Sequence, residues 1–480
     1  MITSTHDAAP PKAEEAAGSR RTPPVIRLLV LATFVVILNE TIMINAIPRL
    51  MTALSIGEQT AQWLSTAFML TMAAVIPITG WFLQRVTTRG AYATAMGLFL
   101  LGTALATVAP SFEVLLGARI VQASGTAVMM PLLMTTLMHV VPEHNRGRVM
   151  GSVSLAISVA PAMGPTISGL ILSFGSWRLL FAVVLPIAAL ITWRGLARLQ
   201  NVGEPRVGTI DWFSVVTAAA GFGGLVYGLS RFEGGDAGMA AAIVVAGLVT
   251  IAVFVVRQLV LQRRGVPLVD LRTLRHRTYT VALIMMAVAF MAMLGSMVLL
   301  PLYLQNVRAF SPLETGLLVM PGGLAMGLLG PAVGRLFDKF GGRVLVVPGA
   351  VAIMLSLTGF TQITMTTPYW QILALHALLS IGLAATFTPV FTLGLGAVPP
   401  ALYSHGSSIL STLQQVAAAI GTAMVITVMS ARSASLRASG VSDVLADLGG
   451  MRLAFVIGAV LSVAVVITAL LLPARADASK

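Results

Sequence analysis

Apolar residues run along this chain in blocks too long for the core of a water-soluble domain. Read with a window of about 19 residues, the sequence holds fourteen such blocks. Six lie near 26–48, 61–83, 90–109, 112–140, 148–173 and 178–195, and two more near 208–230 and 237–259. The last six lie near 278–304, 313–337, 343–363, 369–396, 405–430 and 451–473. A helix crossing a hydrocarbon layer of roughly 30 Å needs about 20 residues at 1.5 Å each. The pattern therefore predicts an all-α integral membrane protein with fourteen transmembrane helices. The polar, proline-containing stretch at 1–24 predicts a disordered tail, and 474–480 a second short tail. No short apolar core with a small-residue cleavage site precedes the first block, so the first helix reads as a retained span.

Composition agrees with that pattern. Of 480 residues, 57% are hydrophobic and only 10% charged, against roughly 25% charged in soluble proteins. A net charge of +13 would suggest nucleic acid if the bases were clustered, but their positions follow topology. With the N-terminus placed in the cytoplasm, 22 of the 30 bases fall in inner segments and seven in outer ones, leaving Arg119 inside a span. This bias obeys the positive-inside rule, predicts cytoplasmic N- and C-termini, and removes the reason to invoke nucleic acid. The absence of cysteine excludes disulfides and thiol chemistry. No P-loop, His-Glu-x-x-His or Gly-x-Ser-x-Gly motif occurs. The chain thus reads as neither an enzyme nor an ATP-driven pump, with no metal and no cofactor.

The sequence also repeats itself. Pro77-x-x-Gly80 recurs as Pro331-x-x-Gly334, 254 residues later, each followed by a short basic loop ending in Arg89 or Arg343. Arg119 and Gly125 recur as His376 and Gly382 at an offset of 257. Parallel repeats of six helices are a recurring transporter plan, with the substrate site between the halves near the midplane. The predicted organisation is a six-helix bundle at 25–200, two linking helices and a basic loop at 201–277, and a second six-helix bundle at 278–473.

These residues carry a resemblance. Gly334-x-x-x-Asp338-Lys339-x-Gly341-x-Arg343 resembles the loop motif of the major facilitator superfamily, and Arg119-x-x-Gln122-x-x-Gly125 its fourth-helix motif. Ala160-Pro161-Ala162-x-Gly164-Pro165-x-x-Ser168-Gly169 resembles the fifth-helix motif associated with antiporters. Leu38-Asn39-Glu40-Thr41-Ile42, ending at Pro48, is similar to the first-helix motif of the fourteen-span drug:proton antiporters. Asn39-Glu40-Thr41, Thr87-Thr88-Arg89 and His405-Gly406-Ser407 are most similar to the lincomycin-resistance-type multidrug efflux branch. The likeness extends from about residue 25 to 473. Two departures stand out: Gln84 occupies the place of the loop motif's acid in the first half, and the first-helix carboxylate falls at Glu40, one residue after the commoner acid position, Asn39.

The resemblance implies a major facilitator fold in the cell membrane and proton-coupled efflux of amphipathic, often cationic drugs, by a monomer whose partners are protons, substrate and lipid. The alternatives are export of one physiological lipid or metabolite and, in a different class, a non-transporting membrane scaffold or receptor. Glu40 is the only acid deep within a predicted span; a buried charge of this kind costs about 2.5–3.5 kcal/mol on insertion scales and so faces a partner or a wet cavity. Counted from Pro48, Glu40 lies about 12 Å below its helix end, near the depth of Arg119. The two form the expected proton-coupling pair. Asn39, Trp63, Met69, Gln122, Met129, Phe290, Tyr303, His376, Gln414 and Gln415 are candidate substrate contacts. Gly80, Gln84, Arg89, Gly164, Pro165, Gly334, Asp338 and Arg343 are candidate gating residues. Asp338 is expected to accept hydrogen bonds from the N-terminus of the helix that follows it and to pair with an arginine.

Overall fold

The computed structural model describes residues 22–43, 46–202, 208–232 and 237–473; nearly all of both predicted tails lies outside them. Every long element among the described residues is a helix. In chain order these are α1 (Pro24–Ile42), α2 (Ile47–Leu54), α3 (Glu58–Arg85), α4 (Thr88–Val108), α5 (Phe112–Val140), α6 (Arg146–Ser173) and α7 (Arg178–Arg198). Then come α8 (Trp212–Arg231) and α9 (Ala237–Arg263), followed by α10 (Arg277–Leu302), α11 (Pro312–Phe340), α12 (Arg343–Phe360), α13 (Tyr369–Gly396), α14 (Tyr403–Ala438) and α15 (Asp443–Leu471). Thirteen helices are each long and apolar enough to cross a membrane. The fourteenth span is α6, whose axis bends by 44° between Pro161 and Thr166. Pro165 lies in that bend and brings no amide donor to the helix ladder.

Local signals place the helix starts. Pro24 sits at the first position of α1, where no amide donor is needed. Thr87 caps α4 by accepting from the Gly90 amide at 3.1 Å. Asp211 caps α8 through the Ser214 amide at 3.2 Å, and Ser311 with Glu314 forms a reciprocal capping box on α11. The first helix corrects an expectation: α1 ends at Ile42 rather than near Pro48, and Pro48 belongs to the short helix α2. Glu40 is therefore in the last turn of α1, not two turns below its end. Thr41 contributes to the stop, because its Oγ1 turns back onto the Leu38 carbonyl at 3.0 Å, competing with the backbone ladder.

Helices α1 and α3–α7 pack on one another, as do α10–α15, and the hairpin α8–α9 lies alongside against α3 and α14. A small apolar cluster anchors the hairpin, with Phe254, Leu268 and Val269 buried among Ile78 and Trp81 of α3 and Ile409 of α14. Arginines at the end remote from Arg85 and Lys339 serve the backbone. Arg178 donates to the Ala109 carbonyl at 2.6 Å, Arg49 to Gly175 at 2.7 Å and Arg452 to Ile363 at 2.6 Å; Arg308 bonds the Thr367 carbonyl. The Ala109, Gly175 and Ile363 carbonyls lie just past the C-terminal ends of α4, α6 and α12, where arginine satisfies acceptors the helix cannot, and Thr367 lies just before α13. Four of the seven exceptions to the basic-side bias thus have structural work of their own.

Candidate transport pathway

Glu40 is half-buried, and among the described residues its carboxylate makes no hydrogen bond or ion pair. Its position is set by α6. A Cβ on Gly164 would strike Thr41 Oγ1 and come within 2.7 Å of Thr41 Cβ, so only glycine lets α6 approach the residue next to Glu40. One turn on, Ser168 Oγ donates to the Ile42 carbonyl at 2.7 Å, capping the end of α1. The fifth-helix motif therefore grips the last turn of α1, and the bend in α6 falls at the point of contact.

Arg119 is 1% exposed, and its charge reaches Glu40 through space. The expected direct pairing is absent. Instead the guanidinium lies over the Phe68 ring at 4.1 Å and donates to Gln122 Oε1 at 2.5 Å. Gln122 in turn donates to Thr103 Oγ1 of α4 at 2.8 Å. Gly125 makes this arrangement possible, since any Cβ there would collide with the Ala95 carbonyl of α4. The fourth-helix motif is thus a clamp: Gly125 brings α4 close, Gln122 bridges, and Arg119 is held facing α1. Gln122 has both ends of its amide engaged and 0% exposure, so it positions Arg119 rather than presenting itself to a ligand.

The two bundles meet along two seams at the basic end. In the first, α6 runs against α11 through glycine backbone. A Cβ on Gly151 would meet the Gly330 carbonyl, and one on Gly334 the Gly147 carbonyl, a small-residue contact of the kind that lets membrane helices touch closely. Asp338 then reaches across, accepting from the Gly147 amide at 2.9 Å and the Arg148 amide at 2.8 Å. The expected partner, the N-terminus of α12, is not used. Gly341, at φ 84°, turns the chain away, and the glycine contact brings the N-terminus of α6 closer. Among the described residues no arginine side chain forms an ion pair with Asp338.

In the second seam, α3 runs against α14. Gly80 faces His405, whose Nδ1 would lie 3.0 Å from an added Cβ. Gln84, at the place of Asp338 in the repeat, donates to the Ala401 carbonyl at 3.0 Å, and Ser408 Oγ donates to the Ile76 carbonyl at 2.7 Å. Further bonds join the halves at the same end: Arg146 with the Tyr403 hydroxyl at 3.3 Å, Thr135 with Ser407 at 2.8 Å and Ser154 with Thr388 at 2.8 Å. A cleft of about 280 Å³ remains there, lined by residues including Gln84, Thr135, His139 and Ser404. Sequence reasoning missed Gly147, Gly151, Gly330, Arg146 and Tyr403. Only the spacing Gly147-x-x-x-Gly151 at the start of α6 hinted at any of them.

The remaining candidates are scattered. Gln414 and Gln415 are half-buried on α14, and Phe290 stacks on Phe387 with centroids 4.8 Å apart. Asn39 is fully buried, with both amide atoms lacking a hydrogen-bond partner among the described residues. Met129 is fully buried within the first bundle. Tyr303 is a packing residue whose hydroxyl donates to the Thr364 carbonyl at 2.6 Å. Trp63 lies against Tyr227 of α8, with centroids 5.7 Å apart, and is 40% exposed; Met69 is 46% exposed. His376 is buried against α11. The Arg89 and Arg343 side chains are exposed and make no hydrogen bond or ion pair among the described residues, so the seams do not hold them. Pro165 is described only as backbone.

Comparison with known proteins fits this architecture. The family pattern described as Major Facilitator Superfamily matches residues 29–422. The lincomycin resistance protein LmrB of Listeria monocytogenes is 38% identical over 460 residues, covering 94% of this chain and 97% of that protein. The MFS-type transporter YcnB of Bacillus subtilis is 37% identical over 442 residues, covering 91% and 92%. Among solved structures, the human organic anion transporter MFSD10 superposes with a TM-score of 0.63 at 16% identity, over 92% of this chain and all of that one. The chain belongs to the major facilitator superfamily, and is a multi-pass membrane transporter rather than an enzyme.

Proposed function

We propose that this transporter exports amphipathic, often cationic, drug-like compounds in exchange for protons, by alternating access. The observation that carries the reading is Glu40: an acid in the membrane part of the bundle, with no hydrogen-bond partner among the described residues, facing the charge of a clamped Arg119. Ionised, it balances Arg119 and attracts a cation; protonated, it leaves Arg119 uncompensated and repels one. Each proton moved down a 100 mV potential supplies about 2.3 kcal/mol. The relative named for lincomycin resistance supports drug-like cargo.

In this reading the basic end is cytoplasmic, both termini lie there, and the conformer is closed to the cytoplasm. Asp338 and the glycine seam hold that gate. The bend in α6 lets Gly164 and Ser168 transmit the gate's position to the last turn of α1 and so to Glu40. Gln414, Gln415 and Phe290 line the substrate path, the protein acts as a monomer in the cell membrane, and neither nucleic acid nor a cofactor takes part. The test is ethidium movement in proteoliposomes with an imposed pH gradient: wild-type protein drives ethidium uphill against the proton flow, and absence of gradient-driven movement sinks the proposal.

A further inference from the structure

The second half contains a buried titratable group that Glu40 and Arg119 leave unused. His376 lies on α13, where Arg119 lies on α5, at the repeat offset of 257. The local packing repeats too. Gly382, six residues on, would collide with α12 through the Gly349 carbonyl at 2.7 Å if it carried a Cβ, as Gly125 would collide with α4. His376 is 8% exposed. Its Nε2 lies 3.2 Å from the Val319 carbonyl of α11. A carbonyl only accepts, so Nε2 carries the hydrogen and Nδ1 presents a lone pair. That Nδ1 is buried, with no hydrogen-bond partner among the described residues. Gly322 gives the ring its room, since any Cβ there would strike it, and Ser380, one turn along α13, flanks the same glycine at 2.9 Å. The ring is thus held by one nitrogen and offers the other as a base.

Among the described residues no acid forms an ion pair with His376. On α11 the nearest ionisable residues are Glu314, five residues before Val319, and Arg335; α13 has none other than His376 and Tyr369. On α12 the only one is Arg343 at the far end, and on α10 they are Arg277 and Tyr279 near its start. Arg146 and Arg148 are at the basic end of α6, and His405, Arg432 and Arg437 are near the ends of α14. The repeat places no acid opposite it: adding 254 to 257 to the position of Glu40 lands on Leu294–Met297 of α10.

We propose that His376 is a second proton-binding site, so that each half of the transporter binds one proton and two are exchanged for each substrate. This rests on the proton-coupled reading above. A proton from water in the open pathway adds to the Nδ1 lone pair, gives an imidazolium with Nε2–H still on Val319, and leaves by the same bond; no other bond changes. Protonation at His376 and at Glu40 acts in the same direction, each adding one positive charge to the pathway walls and favouring release of a cation.

The inference changes the charge moved. Two protons exchanged for one ethidium, a monovalent cation, move a net charge, whereas one proton for one ethidium is electroneutral. In proteoliposomes, a valinomycin-set potassium potential is expected to shift wild-type ethidium exchange, with His376→Gln abolishing that dependence. Glutamine places an amide N–H at the position of Nε2 but cannot take up a proton, so a merely structural role is preserved. At a gradient of one pH unit, loss of one coupled proton lowers the limiting accumulation about tenfold. A wild-type reversal potential matching one proton per ethidium overturns the proposal whatever the variant does, as does a His376→Gln protein that keeps the potential dependence. If wild type shows no gradient-driven movement at all, the proton-coupled reading fails first and this inference falls with it; potential-independent but gradient-driven exchange leaves that reading standing.

Discussion

The two seams that close the basic end occupy equivalent places in the repeat but are held by different forces. Between α6 and α11, a carboxylate accepts two backbone amides at a helix N-terminus, over a contact of bare glycine backbone. Between α3 and α14, a neutral amide donates to a carbonyl, a serine hydroxyl adds one bond, and the α8–α9 hairpin covers the contact with apolar side chains. Hydrogen bonds to a charged group contribute about 1.5–3 kcal/mol each, against about 1 kcal/mol for neutral ones. Charge also makes the first seam sensitive to protonation, while the second depends on packing. A two-fold architecture has thus become a gate with one chemically switchable side and one mechanically supported side.

Substitutions that treat the seams unequally test this difference, and the cysteine-free chain makes single-cysteine labelling a clean reporter. The largest effect is expected from Gly334→Leu, whose side chain has nowhere to go but into the Gly147 carbonyl. Overpacking of this kind costs about 1–3 kcal/mol, enough to raise maleimide labelling at Ser154→Cys by about five- to a hundredfold; unchanged labelling would deny that the glycine contact closes the gate. Asp338→Asn comes next: loss of the charge should cost about 1–2 kcal/mol and speed labelling about tenfold at that position. Gln84→Ala removes one neutral bond at about 1 kcal/mol and should change labelling at Ser404→Cys only a few-fold. If Gln84→Ala opens the gate as far as Asp338→Asn does, the asymmetry is wrong.

The smallest effect concerns the hairpin that supports the second seam. Asp211, at the start of α8, is held below the usual carboxylate range by hydrogen bonds from Arg257, at 3.0 and 3.1 Å, and from Ser214. A carboxyl depressed in the folded state stabilises fully above its ordinary value of 3.8 and loses that contribution as pH falls through its folded value. Thermal melts in detergent should therefore show Asp211→Asn slightly less stable than wild type at pH 6, the gap narrowing as the pH falls below 3.8. A gap that does not narrow below pH 3.8 would assign the effect to packing instead.

Much of this was legible in the sequence, for physical reasons that also mark its limits. Span number and helix type follow from apolar length, a property of the chain alone, so fourteen blocks became thirteen helices and one broken span. Glu40 and Arg119 were visible because charges are scarce in such a chain. The end of α1 was misjudged because Pro48 resembles a helix stop, whereas the stop involves Thr41 and the cap comes from Ser168, 126 residues away. The partner of Asp338 was missed for the same reason. Which helix N-terminus a carboxylate reaches depends on glycines in another bundle, and spacing within one helix does not reveal its neighbour. Gln122 shows the converse, a residue recognised from its motif whose role as a bridge to Thr103 appeared only with α4 in place.

The central claim is that the Glu40 carboxylate exchanges the proton. The most direct measurement imposes an ethidium gradient, with no initial pH gradient, across proteoliposomes loaded with a fluorescent pH indicator, and records proton flux for wild type and Glu40→Gln. Wild type should move protons opposite to ethidium, while Glu40→Gln loses at least half of that proton flux, the share that Glu40 carries. A Glu40→Gln protein that moves protons as fast as wild type would contradict the account.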